Sequence, residues 1–330
     1  MCSSPGLSRP LLQCLPAARC AAALLLTFLC HQAAAQSPAD AWREFQLARE
    51  QGPATTVIDL DNDTLLLNGK DSFYTSGVRL TREFSVPNSN PTSQSARTSY
   101  GWRIGQELYT ASDIKLPPAR VLPPDHPYAG WLYGGAFKTT TVTDGSYQRF
   151  GLDLGCLGPC AGGRGTQTTL HRIINQPQPQ GWSRQVRNEL GAVLYADIAP
   201  VRWQFGRLVD LTPSVQGRFG NIFTDIGGSL LLRAGQLEAA PNTGSLQTFA
   251  RAQARAVGYN ATLQGGYFSH DNPHVVSPKR LVGEVEVGVR WMVHGYAVSA
   301  AVVRIGNEIA ALSNATGAQN LARLQLVITP

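Results

Sequence analysis

Long apolar runs are missing from all but the start of this chain. After residue 35 no stretch approaches the ~18 consecutive apolar residues that a membrane-crossing helix needs, which excludes helical spans. A transmembrane β-barrel stays open, because its strands alternate and score low on hydropathy. Charge is sparse too, with Asp, Glu, Lys and Arg making up 15% of 330 residues. The formal excess of +6 contains no basic block of the kind that marks a nucleic-acid binder. No nucleophile elbow, metalloprotease helix or phosphate-binding loop is present, and Gly162-Gly163-Arg164-Gly165 lacks the strand-Gly-helix spacing of nucleotide folds.

Cysteine is scarce where it would count: of six, Cys2, Cys14, Cys20 and Cys30 precede residue 35. That stretch reads as a secretory leader. Arg9 and Arg19 supply positive charge, 21–30 (AAALLLTFLC) is the apolar core, and Ala33-Ala34-Ala35 before Gln36 fits a small-x-small cleavage site. The expected organisation is therefore a signal peptide, 1–35, and one barrel domain, 36–330. Cys156 and Cys160 remain in an oxidising compartment and are expected to pair, although three intervening residues make a tight loop. Without a nearby His/Cys set they make no zinc cage.

The rest of the chain reads as short alternating strands. In 285–293 (VEVGVRWMV), Val285, Val287, Val289, Trp291 and Val293 share one face while Glu286 and Arg290 take the other. An apolar face beside a charged one fits lipid outside and a polar lumen inside. Phe150, Leu152 and Leu154 oppose Arg149 and Asp153 in the same way, and 259–267 repeats the pattern between two tyrosines. Comparable runs near 55–61, 73–85, 99–109, 130–142, 187–197, 201–217, 221–233, 247–257, 296–305 and 320–329 bring the total to about twelve strands. The expected fold is all-β, a transmembrane antiparallel β-barrel; a soluble β-sandwich would alternate too, but the low charge favours the membrane barrel. Residues 37–52 read as an N-terminal helix with Ser37 as cap and Pro38 at its first position.

One segment breaks the pattern. Between Gly155 and Glu189 a Gly/Pro-rich insertion carries His171, with Leu170, Ile173 and Ile174 spaced as one helical face and Pro177 and Pro179 to end it. A short helix laid against the barrel is expected, with that apolar face beside a histidine suited to general base chemistry. Two further polar clusters stand out. Asp61-Asn62-Asp63 offers the hard oxygen ligands that Ca²⁺ prefers, or ordinary turn chemistry. In Tyr74-Thr75-Ser76-Gly77, Thr75 or Ser76 could orient a water, donate to an oxyanion or act as a nucleophile, or simply begin a strand.

Five segments in order, DNDTLL (61–66), DSFYTSGVRL (71–80), PDHPYAGWLYGG (124–135), LDLGCLGPCAGG (152–163) and LHRIINQPQPQGWSRQVRNE (170–189), resemble the outer-membrane lipid A 3′-O-deacylase family of LpxR type. The resemblance implies a twelve-stranded barrel in the bacterial outer membrane, with an active site between its wall and a short helix. It implies an esterase acting on the 3′-linked acyloxyacyl chain of lipid A in lipopolysaccharide, through water activated by His171 and an oxyanion stabilised by Ca²⁺. Asn62 and Asp63 match the metal-binding pair, Thr75 the active-site hydroxyl, and Lys115 the lysine of the loop after the third strand. Glu189 is a further Ca²⁺ candidate, and a monomer is the default. The alternatives are an outer-membrane phospholipase and a non-catalytic small barrel. The sequence departs from the family in carrying Cys156 and Cys160 in a loop usually small or apolar, and in lacking a terminal aromatic.

Overall fold

The computed structural model describes residues 37–66, 72–87, 96–237 and 244–329; the expected leader lies outside them. Ser37 accepts from Asp40 N at 3.1 Å and opens helix α1, Pro38–Gln51, as its capping pattern predicts. The chain divides into two compact units, Met1–Gln46 and Leu47–Pro330, and the second holds the barrel.

Thirteen strands follow: β1 (Ala54–Asn62), β2 (Phe73–Ser85), β3 (Ala96–Thr110), β4 (Ala129–Val142), β5 (Tyr147–Leu157), β6 (Glu189–Ala199), β7 (Trp203–Phe205), β8 (Val209–Gly220), β9 (Phe223–Gly235), β10 (Ser245–Asn260), β11 (Leu281–Val293), β12 (Tyr296–Ile305) and β13 (Gln319–Ile328). Each pairs antiparallel with its neighbour in sequence, except that β6 joins β8 and β1 joins β13. Twelve strands thereby close a ring, and the short β7 adds only to β8. The run near 201–217 is thus two strands, divided where Gly206 turns with φ 67°. Closure removes the sheet edges that would otherwise need covering.

The alternation seen in the sequence sorts the wall as expected. Val285, Val287, Val289 and Trp291 are exposed on the outside, as are Phe150, Leu152 and Leu154. Inside, a cavity of about 580 Å³ is lined by charges. Arg103 Nε donates to Asp153 at 2.9 Å, Arg149 to Glu83 at 2.9 Å and Arg323 Nε to Asp61 at 2.8 Å, while Arg251 pairs with Glu286. Charges inside the ring are thus held by cross-strand partners, as burial requires.

One alternating run is not a strand. β10 stops at Asn260, whose side chain accepts from Thr262 N at 3.0 Å and Thr262 Oγ1 at 2.8 Å. This cap starts a helical turn over Ala261–Gln264, which buries Leu263 beside Phe73 and Ile309. The periodicity of 259–267 therefore runs past the end of a wall strand into a buried helical turn.

Connections at the two ends differ. Turns at 143–146 and 294–295 are tight, while 111–128, 158–188, 261–280 and 306–318 gather at the opposite rim. Outer-membrane barrels keep short turns on the periplasmic side and long loops outside, which makes the long-loop end external.

Candidate active site

The expected helix forms as α2, Gly163–Ile173, at the external rim. It contacts β3 and β4. The side is fixed by parity: Trp102 and Ile104 are exposed on the outer face of β3, and Gln106 and Leu108 continue that face. Gln106 Nε2 donates to Ala161 O at 2.6 Å, just before α2. A side chain on Gly163 would strike Leu108 and Trp182 within 2.8 Å, so a glycine is what lets the helix seat against the outside of the wall. Cys156 and Cys160 are bonded and brace the same entry loop.

The seated face is the polar one. Gly163, Gln167 and His171, one turn apart, are buried, whereas Leu170, Ile173 and Ile174 are 40%, 74% and 45% exposed. An apolar face need not turn inward when its surroundings are lipid. The polar residues turn inward because they find partners there. Trp182, buried in the turn Gly181–Arg184 and edge-on to Tyr128, donates Nε1 to Gln167 Oε1 at 2.8 Å. His171 Nδ1 lies 2.6 Å from Pro177 O. A carbonyl only accepts, so Nδ1 is the donor in this contact.

The other candidate residues converge on β2. A bulge between Tyr74 and Ser76 leaves Thr75 outside the ladder, buried. Its carbonyl accepts from Asp63 N and Asn62 Nδ2, both at 3.4 Å, and its hydroxyl lies 2.7 Å from Thr110 Oγ1. Thr110 has the parity of Leu108, so this hydroxyl pair belongs to the flank on which α2 rests. Asn62, Asp63 and Thr75 thus form one hydrogen-bonded group. Asp63 Oδ2 accepts from Ser72 N at 2.7 Å, and Asn62 Oδ1 from Leu65 N at 3.2 Å. Lys115 lies exposed in the β3–β4 loop, which is tied to the segment beyond α2 by Gln180 N donating to Ile114 O at 2.9 Å.

Glu189 is placed elsewhere. It starts β6 on the inward face, opposite the exposed Leu190. Oε1 accepts from Asn221 Nδ2 at 2.7 Å and Tyr267 N at 2.9 Å; Oε2 accepts from Phe268 N and Ser269 N, both at 2.9 Å. Its acceptor capacity is filled by a loop anchor, and the structure does not bring it to Asn62 and Asp63. Any side chain on Gly266 would collide with the carboxylate.

Two residues that sequence reasoning passed over belong to this region. Gln167 stands one turn before His171, and that i, i+4 spacing was the available signal. His126, in the PDHPYAGWLYGG segment, is buried, stacked on Tyr109 at 5.5 Å, and hydrogen-bonded through Nδ1 to Pro127 O at 2.6 Å. Burial pushes its imidazole down to about 4, so it is neutral near pH 7.

The family model described as "Outer membrane protein LpxR" matches residues 20–329. Among solved structures, LpxR from Salmonella typhimurium is 21% identical, with 83% of this chain and 99% of that chain covered and a TM-score of 0.67. The beta domain of the Bordetella autotransporter BrkA is 13% identical over 84% of this chain and 98% of its own, with a TM-score of 0.48. No curated protein matches the chain.

Proposed function

The chain belongs to the LpxR family of outer-membrane proteins, and from that premise we propose that it is a lipid A deacylase. It hydrolyses the ester of the 3′-linked acyloxyacyl chain at the external rim of the barrel, as a monomer exported by the leader 1–35. The observation that carries this reading is the 2.6 Å contact of His171 Nδ1 with Pro177 O: a ring that donates there from Nδ1 takes up a proton at Nε2. His171 Nε2 takes a proton from water as the water oxygen adds to the acyl carbon. The imidazolium then returns that proton to the sugar oxygen as the carbon–oxygen bond breaks, and the fatty acid leaves. Gln167, clamped by Trp182, holds the helix face from which His171 acts. Thr75, paired with Thr110, positions the reacting ester or its water, and Lys115 supplies a cation at the mouth of the site.

Ca²⁺ is the proposed cofactor. The buried carboxylate of Asp63 and the carboxamide oxygen of Asn62 are oxygen donors that suit a hard cation, while Thr75 O is already taken by Asp63 N and Asn62 Nδ2. Among the described residues no three His, Cys, Asp or Glu cluster together, so carbonyl, carboxamide and water oxygens would complete the shell. When bound, the ion would stabilise negative charge on the ester oxygen.

Mass spectrometry of lipid A from cells producing the wild type or His171→Ala tests the proposal. A loss of one acyloxyacyl group only with the wild type is expected. Equal loss with a folded His171→Ala barrel would remove the histidine from the mechanism. Acyl chains released from glycerolipid instead would make the protein a phospholipase.

A further inference from the structure

Helix α2 carries a feature that ester hydrolysis does not use. With about 100° between successive residues, Leu170 and Ile174 fall on one side of the His171 direction and Arg172 on the other, while Ile173 points nearly opposite and Arg164 lies within about 20° of it. All five are exposed. The sequence of α2, GRGTQTTLHRI, contains no acidic residue, and neither arginine side chain has a hydrogen bond or ion pair among the described residues. The helix lies on the outer flank of a lipid-facing wall, with Trp102 and Ile104 exposed on the same face of β3. Exposed apolar and basic residues on one helix beside such a wall are the pattern of a helix resting at the boundary between hydrocarbon and headgroups.

We propose that α2 is the headgroup-recognition element of the enzyme: Arg164 and Arg172 bind a phosphomonoester of the glycolipid substrate, while Leu170 and Ile173 rest against its acyl chain. The assignment builds on the deacylase reading and adds the substrate group that is read. Guanidinium forks suit phosphate oxygens, and two cations without internal partners leave that charge available. The apolar occupant follows from continuity with the lipid-exposed wall.

Native mass spectrometry of the full-length barrel, purified in detergent, tests this without relying on turnover. The probes are a phosphorylated glucosamine lipid, the same lipid dephosphorylated, and inorganic phosphate. The wild type is expected to retain the phosphorylated lipid preferentially. Arg164→Gln/Arg172→Gln should weaken that binding roughly 30-fold, the loss expected when two interfacial arginines stop meeting an anionic headgroup, with the dephosphorylated lipid unchanged. Leu170→Ser/Ile173→Ser should weaken both lipids alike. Heat-modifiable migration on gels checks that each variant is folded. Unchanged binding in the arginine variant, or equal loss for both lipids, would overturn the proposal. Displacement of lipid by phosphate alone at equal concentration would make this a free-anion site and overturn it too. Lipid retention by a wild type that releases no acyl chain would sink the deacylase reading and leave the headgroup assignment standing.

Discussion

Replacing Glu189 with glutamine separates a loop anchor from a metal ligand. The carboxylate accepts four hydrogen bonds, three of them from consecutive amides of Tyr267, Phe268 and Ser269. Glutamine can keep one oxygen for Phe268 and Ser269, but it puts an NH₂ where Tyr267 N and Asn221 Nδ2 now donate. Asn221 cannot turn to compensate, since its oxygen already holds Ala192 N and its nitrogen Leu190 O. Two part-buried donors, Tyr267 N and one Asn221 Nδ2 hydrogen, lose their acceptor, each toward the low end of about 1–3 kcal/mol, and the two surviving bonds lose their ionic half. A net loss of about 2–3 kcal/mol in the local stability of this loop follows, which is roughly 30- to 160-fold in its opening equilibrium. Hydrogen exchange should report that acceleration at the three amides, with the mid-strand amides of β6 unaffected. The Ca²⁺ concentration giving half-maximal acyl release should stay where it is in the wild type. A Ca²⁺ requirement raised tenfold, with loop exchange unchanged, would refute the anchor and return Glu189 to the metal.

Other perturbations follow from the same geometry. Because His126 is held near 4 in the fold against ~6.5 in the unfolded chain, the unfolded state binds the proton first as pH drops below 6.5. Stability should therefore fall by up to about 3 kcal/mol between pH 6.5 and 4. His126→Phe keeps the ring on Tyr109 and should flatten that part of the dependence in urea titrations at pH 7 and 4.5; an unchanged slope would place its origin in another group. Trp182→Phe removes the 2.8 Å bond to Gln167 Oε1 and should loosen α2 by about 1–2 kcal/mol, lowering kcat while the thermal unfolding of the barrel holds. Cys156→Ser/Cys160→Ser opens a small ring worth about 2 kcal/mol. Proteolysis at 158–163 should accelerate, and a reductant should reproduce the effect in the wild type; no change in either would make the bridge dispensable.

The wall was legible because each strand position needs only two environments, lipid and lumen. Alternation therefore identified Glu286 and Trp291 on opposite faces without any long-range knowledge. The existence of α2 and the isolation of His171 were legible as well, through Gly, Pro and a broken period. Which face of α2 would seat was not. The rule that apolar residues turn inward presumes water outside, and Ile173 stands exposed beside a wall whose outer face is apolar. The partners that reverse the rule, Trp182 for Gln167 and Pro177 O for His171, come from the folded path of the loop. The anchoring of Glu189 was not legible for a related reason: a buried carboxylate serves backbone amides as readily as a metal, and those amides arrive from Tyr267, Phe268 and Ser269, far along the chain.

The charged interior also bears on how the barrel is completed. Arg323 on the last strand grips Asp61 on the first, 262 residues away, and reaches Glu286 at 3.0 Å, while Gln325 donates to Asp59 at 2.8 Å across the same seam. Until β13 arrives, β1 presents an open backbone edge and a carboxylate facing inward without its cation. Both deficits are removed by one strand in one step. A partly assembled barrel is thus penalised twice at a single place, which makes insertion close to all-or-none, with the final strand acting as the bolt.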